Sequence, residues 1–278
     1  ADDGGATGET MTLRAALARS RNGITAQLVQ QIGPAPVARF ARDLGVQRAA
    51  LTEVPSLALG TSDVSLLEMT RAYATLAAGG VRREPVLIER ITDRHGLELD
   101  RFGSDPQVAV PAPLAGQLVD MLRDAVNQGT GHWLRTRFAL RNDVAGKTGT
   151  TQRNADGWFI AMQPDLVVGA WVGFNDPRVT LPAGSWNTGG RTALLLVGDL
   201  LRAANQAHLV DALLRFPDPP RPPRAPEVPP DARTDAVGPQ WVRWPAAPAD
   251  ALRAPAPTAA VTPTMVAAVG GEADASLR

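Results

Sequence analysis

Proline divides this chain. Fourteen of its 24 prolines lie in the last 64 of 278 residues, where the run Pro217-Asp218-Pro219-Pro220-Arg221-Pro222-Pro223 excludes both a helix interior and a central strand. Residues 215–278, which include the Ala/Pro/Thr stretch 254–264, are expected to form an extended, mostly disordered tail. Trp241 and Trp244 are the residues in it that can dock locally. The acidic, glycine-rich residues 1–10 are expected to be a flexible start, and nothing in them reads as a signal peptide. The folded unit is therefore 11–214, with no visible internal repeat.

Within that unit the type of element changes once. Apolar periodicity predicts helices at 12–18, with Thr10 or Thr12 as cap, at 26–32 and at 37–44, the last closed by Gly45. The segment 62–78 carries a capping box, Ser65-x-x-Glu68, an apolar stripe of Leu66, Met69, Tyr73 and Leu76, and a Gly79-Gly80 stop. A further helix is expected at 113–127, before Gly129-Thr130-Gly131. Three short β-rich segments follow at 144–151, 158–163 and 166–174, separated by turn residues, and a helix at 191–207 closes the unit. Strands clustered after helices, without βαβ alternation, predict an α+β fold of helices packed on an antiparallel sheet.

Composition removes whole classes of function. The 28 basic and 28 acidic residues cancel and form no long single-sign block, which argues against a nucleic-acid binder. Without cysteine there are no disulfides, zinc-thiolate sites or cysteine nucleophiles. The longest apolar stretches, 166–174 and 192–201, are too short to span a bilayer. His95, His132 and His208 have no metal-ligand spacing and no nucleophile elbow accompanies them, so neither a metal nor a cofactor is expected.

One bias is informative. Of the 28 basic residues 27 are Arg, and the single Lys, Lys147, stands in Gly146-Lys147-Thr148-Gly149-Thr150-Thr151. A compact, rotatable ammonium differs from a planar guanidinium wherever geometry matters. A phosphate-binding loop fails here, because Arg141 stands where its first Gly belongs and β-type residues follow instead of a helix. The alternative is the Lys-Thr-Gly strand motif of serine acyl-transferases. Those enzymes also need Ser-x-Asn upstream, and Ser20-Arg21-Asn22 satisfies the order. A second triplet, Ser185-Trp186-Asn187, comes after the strands in a Pro/Gly-rich stretch and reads as a turn.

With these motifs the chain resembles the transpeptidase domain of class A penicillin-binding proteins. The similarity runs from about residue 11 to 202 and includes Leu13-Arg14-Ala15-Ala16-Leu17-Ala18-Arg19-Ser20-Arg21-Asn22, Leu57-Ala58-Leu59-Gly60-Thr61 and Ala72-Tyr73-Ala74-Thr75. It continues in Gly129-Thr130-Gly131, Gly146 to Thr151, Asp156-Gly157-Trp158-Phe159 and Trp171-Val172-Gly173-Phe174. The resemblance implies a serine β-lactamase/D,D-transpeptidase-like fold, incomplete at its N-terminus. It also implies acyl transfer on D-Ala-D-Ala stem peptides of peptidoglycan and binding of β-lactams.

By that resemblance Ser20 bonds Lys147 and relays a proton, and Asn22 holds the substrate amide. Lys147 supplies positive charge, the hydroxyls of Thr148 and Thr150 bind the terminal carboxylate, and the Thr150 N–H forms half of an oxyanion hole. Gly149 leaves room for close approach. The chain departs from the family at Ser-x-x-Lys: with Lys147 the only Lys, the position three before it is Val144. The expectation is a missing N-terminal part carrying the nucleophile helix, a glycosyltransferase domain and a membrane anchor, so that this chain alone is inactive. The parent is then expected at the outer, periplasmic face of the bacterial cytoplasmic membrane, among cell-wall synthesis proteins. The competing readings are a non-catalytic peptidoglycan- or partner-binding scaffold, and a D,D-carboxypeptidase or β-lactamase-like hydrolase.

Overall fold

The computed structural model describes residues 11–151, 155–176, 178–181 and 188–219, and the backbone of 264–269. The expected tail and the Ser185-Trp186-Asn187 turn lie largely outside the described residues. Helix α1 (Leu13–Ala18) begins at Thr12, whose Oγ1 accepts the Ala15 N–H at 3.2 Å. Helix α2 (Asn22–Ile32) starts four residues earlier than apolar periodicity predicts. Helix α3 (Pro34–Leu44) opens on Pro34, whose missing N–H is harmless at a helix start, and ends at Gly45 with φ of 132°.

Helix α4 (Leu66–Ala77) has the expected capping box. Its Glu68 does more than cap. The carboxylate also accepts the Arg48 and Ala49 N–H groups at 2.5 and 3.1 Å, fastening the loop after α3 to the start of α4.

The stretch between α4 and the next long helix contains strands that no alternation announces. β1 (Val81–Arg82) pairs with β4 (Gln107–Val108), and between them β2 (Arg90–Thr92) and β3 (Glu98–Arg101) form a hairpin around Asp93-Arg94-His95-Gly96. Every residue of β2 and β3 is exposed, so no buried face imposed a two-residue period on the sequence. Helix α5 (Ala112–Asn127) and the short α6 (Trp133–Thr136) then lead into β5 (Ala145–Thr150), β6 (Asp156–Met162) and β7 (Leu166–Gly173). Helix α7 (Ala193–Gln206) completes the layered part.

β5, β6 and β7 form the expected antiparallel meander, with Lys147 opposite Ile160 and Thr148 opposite Phe159. Alternation sends these pairs to opposite faces. Ile160 packs with Val119 and Leu122 of α5 and Leu76 of α4, whereas Phe159 packs with Leu194 and Val197 of α7. The sheet is thus the middle of three layers, and each face carries its own apolar core.

Two boundaries differ from the sequence reading. The folded unit does not stop at 214, because Phe216 is buried against α5 and the sheet. Its N–H reaches Asp143 Oδ2 at 2.9 Å, and its carbonyl accepts from Arg123 at 3.1 Å. The tail also supplies a strand. β8 (Thr264–Val269) pairs in parallel with β7, from Leu166↔Thr264 to Trp171↔Val269. This six-residue segment is free of proline and rich in strand-forming residues, a local exception that the composition of the whole tail hides. Pairing gives the outer edge of β7 the hydrogen-bond partners an edge strand lacks. Among the described residues no helix is long and apolar enough to cross a membrane.

Candidate active site

Ser20 is placed by the way α1 ends. The Arg21 N–H returns to Ala16 O at 2.9 Å and the Ser20 N–H to Leu17 O at 3.1 Å, the bond pattern of a Schellman ending. That ending needs a left-handed residue at the Ser20 position, and Ser20 adopts φ of 55°. Glycine meets this requirement without steric cost, whereas a serine there costs about 1 kcal/mol. His208 takes the same role after α7 with φ of 54°, so the geometry alone is not diagnostic. At Ser20 its consequence is that the side chain projects into a cleft.

Lys147 comes to the same cleft from β5. Its Nζ donates to Ser20 Oγ at 2.8 Å and to Thr148 O at 3.0 Å, joining residues 127 positions apart. Burial away from water disfavours the charged amine and brings its pKa from 10.5 down to about 8. The amine therefore carries a proton at neutral pH that it releases far more readily than a solvated lysine does.

The cleft encloses about 1700 Å³ and is lined by Ser20, Asn22, Lys147, Thr148, Gly149 and Thr150 together. Asn22 stands exposed in the first turn of α2, next to Ser20 in the chain. Thr148 Oγ1 lies 2.7 Å from Thr130 Oγ1, and Thr150 Oγ1 accepts the Gly189 N–H at 3.1 Å. Gly189 must be glycine here, because a Cβ would lie 2.2 Å from Gly149 O. Val144, three residues before Lys147, is wholly buried in the core and offers nothing to the cleft.

Other residues around the cleft hold at least one partner each. His132 Nδ1 is 2.7 Å from Asn127 O, and Asp156 Oδ2 accepts the Trp171 indole N–H at 3.0 Å. Trp133 lines the cleft, with the guanidinium groups of Arg137 and Arg191 each 5.7 Å from its ring centroid. No cluster of three or more His, Cys, Asp or Glu suited to a metal ion occurs among the described residues. Sequence reasoning gave no role to Thr130 or to Gly189-Gly190. The signal available for Thr130 was its position between two glycines, Gly129 and Gly131.

Residues 1–172 match the family described as the penicillin binding protein transpeptidase domain. Penicillin-binding protein 1A of Neisseria gonorrhoeae is 34% identical over 204 residues, which cover 70% of this chain and 24% of the relative. Penicillin-binding protein 1A of Aquifex aeolicus is 34% identical over 198 residues, covering 71% and 26%. The chain thus spans about a quarter of the length of these curated relatives. Two solved structures share the fold. One is penicillin-binding protein 1A from Haemophilus influenzae, with a TM-score of 0.64, 24% identity and coverage of 76% of this chain and 36% of that one. The other is the PonA1 protein from Mycobacterium tuberculosis in complex with penicillin V, with a TM-score of 0.61, 24% identity and coverage of 78% and 64%. The order of its motifs, the family match over most of its folded unit and the relatives at 34% identity place this chain in the transpeptidase domain family of class A penicillin-binding proteins.

Proposed function

We propose that this chain forms the Ser20/Lys147 side of a serine D,D-transpeptidase site that acts on peptidoglycan stem peptides ending in D-Ala-D-Ala. The observation that carries the reading is the 2.8 Å contact between Lys147 Nζ and Ser20 Oγ, made by a lysine whose pKa is drawn down to about 8. In the reaction a serine oxygen attacks the penultimate D-Ala carbonyl, the peptide C–N bond breaks, and the departing D-Ala nitrogen takes up a proton. Ser20 suits delivery of that proton: its hydroxyl gives one to the amine and takes another from Lys147, which ends the step neutral. A lysine with an unshifted pKa would hold its proton too firmly for this exchange.

Thr148 and Thr150 hydroxyls bind the terminal carboxylate, Asn22 holds a substrate amide, and the Thr150 N–H provides half of the oxyanion hole. Gly149 lets substrate lie close against β5. The attacking serine is not supplied by any Ser-x-x-Lys of this sequence, since Val144 stands three residues before the only Lys. This chain alone therefore binds ligands reversibly and forms no acyl-enzyme. In the same reading it works in the bacterial cell envelope, at the outer face of the cytoplasmic membrane, within a bifunctional glycosyltransferase/transpeptidase.

Mass spectrometry of the full chain after incubation with excess benzylpenicillin tests this. The expected result is unchanged mass, with reversible binding seen by titration and lost in Lys147→Ala. A stoichiometric adduct abolished by Lys147→Ala would reveal a nucleophile within these residues. Absence of reversible binding would favour the scaffold reading.

A further inference from the structure

Thr130 has no part in the mechanism above, yet three parts of the fold meet around its loop. Its N–H donates to Ala18 O at 3.2 Å, at the end of the helix that presents Ser20. Gly129 makes that approach possible, because a Cβ there would lie 2.1 Å from the same oxygen. The Gly131 N–H donates to Ala125 O of α5 at 2.8 Å, which fastens the other side of the loop. On the third side a Cβ on Gly190 would lie 3.3 Å from Thr130 O and 3.5 Å from Thr148 Cγ2. The backbone of Thr130 is therefore held in place, while its side chain is exposed to the cleft.

The Oγ1 atoms of Thr130 and Thr148 are 2.7 Å apart, and either can donate to the other. Only one hydrogen fits between two such oxygens, so the second hydroxyl hydrogen points elsewhere. When an anion enters, both hydroxyls can rotate and donate to it. Charge-assisted bonds of this kind are roughly twice as strong as neutral ones. The electrostatics of the wall agree: Lys147 adjoins Thr148 in the chain, and Arg191 lines the same cleft from its seat over Trp133. The acidic groups that line the cleft are Asp63 and Asp156, and one oxygen of Asp156 is engaged by Trp171.

We infer that Thr130 is a specificity-determining residue whose hydroxyl joins that of Thr148 in a two-donor clamp for the C-terminal carboxylate of the peptide substrate. The inference rests on the peptide-binding reading of the site and adds a residue from outside the Lys-Thr-Gly strand.

The test is titration of the full chain with two probes, diacetyl-L-Lys-D-Ala-D-Ala and the same peptide as its C-terminal amide. The clamp requires the acid to bind more tightly than the amide. Thr130→Val, which keeps shape and removes the hydroxyl, should weaken the acid about tenfold, the loss of one hydrogen bond to a charged group, and leave the amide unchanged. Thr130→Ser should restore the acid to within about twofold, since it returns the same donor. Equal weakening of both probes by Thr130→Val, or no weakening of either, overturns the clamp. If the unsubstituted chain binds acid and amide equally, the clamp falls while the peptide-binding reading stands. If it binds neither probe, that reading falls and the clamp with it.

Discussion

Lys147 shows how much a single residue's chemistry depends on its surroundings. In an unfolded chain its amine is an ordinary, solvated ammonium; against the sheet it titrates near 8 because water has been removed from around it. Being the only lysine, it can be read without interference. In a chain carrying 13C-labelled lysine, the single Cε resonance should titrate near 8 and return to the ordinary range on unfolding. Ser20→Ala removes an acceptor that favours the ammonium, so it should lower that midpoint further; an unchanged midpoint would show that the 2.8 Å contact is absent in solution. The same shift has a stability consequence. Between the folded value near 8 and the unfolded value near 10.5 the unfolded chain binds more protons, so the Lys147 contribution makes stability rise with pH across that window. Below pH 8 the full penalty for burying the charge is present.

At the scale of elements, α4 depends on one carboxylate. Burial opposes the charge on Glu68, but the Arg48 N–H, the Ser65 hydroxyl and the Ala49 N–H outweigh it and hold the carboxyl below its usual range. Glu68→Gln keeps the shape, loses the charge and cannot satisfy every donor. It should destabilise the chain by about 1–3 kcal/mol in urea unfolding at pH 7. Because the folded pKa is lowered, this contribution is complete above the unfolded value and fades as pH falls through the folded one, so wild type and Glu68→Gln should converge in acid. The capping box of α4 was legible from Ser65 and Glu68 alone, since it is local. The grip on Arg48 and Ala49 was not, because it spans about twenty positions.

The whole molecule is closed by two late segments. Phe216 sits in the core between the sheet and helices α4 and α5 with Arg123 5.6 Å above its ring, and Arg123 also holds Asp143 through two bonds of 2.8 and 2.5 Å. Phe216→Ala should cost about 3–5 kcal/mol in chemical unfolding, the range for emptying a buried aromatic site. β8 acts differently, through backbone pairing on the rim of the sheet. Ending the chain after Pro219 keeps Phe216 but removes β8. Hydrogen exchange of β7 (Leu166–Gly173) should then accelerate while β5 and β6 keep their protection. Unchanged exchange in β7 would mean that the pairing with 264–269 does not persist in solution.

What the sequence by itself determined is local or periodic. The Ser65 cap, the Gly45 stop, the long helices, the β5–β7 meander and the Lys-Thr-Gly strand all depend on neighbours within a few residues, so they can be read along the chain. The family followed from the order of such motifs. The meeting of Ser20 with Lys147, the place of Thr130 beside Thr148, the depth of Phe216 and the seat of β8 were decided by tertiary structure. Each is a contact between segments far apart in sequence, and no periodicity records which distant surface a side chain will meet. The lowered pKa of Lys147 belongs with them, because desolvation is a property of the packed surroundings and not of the residue.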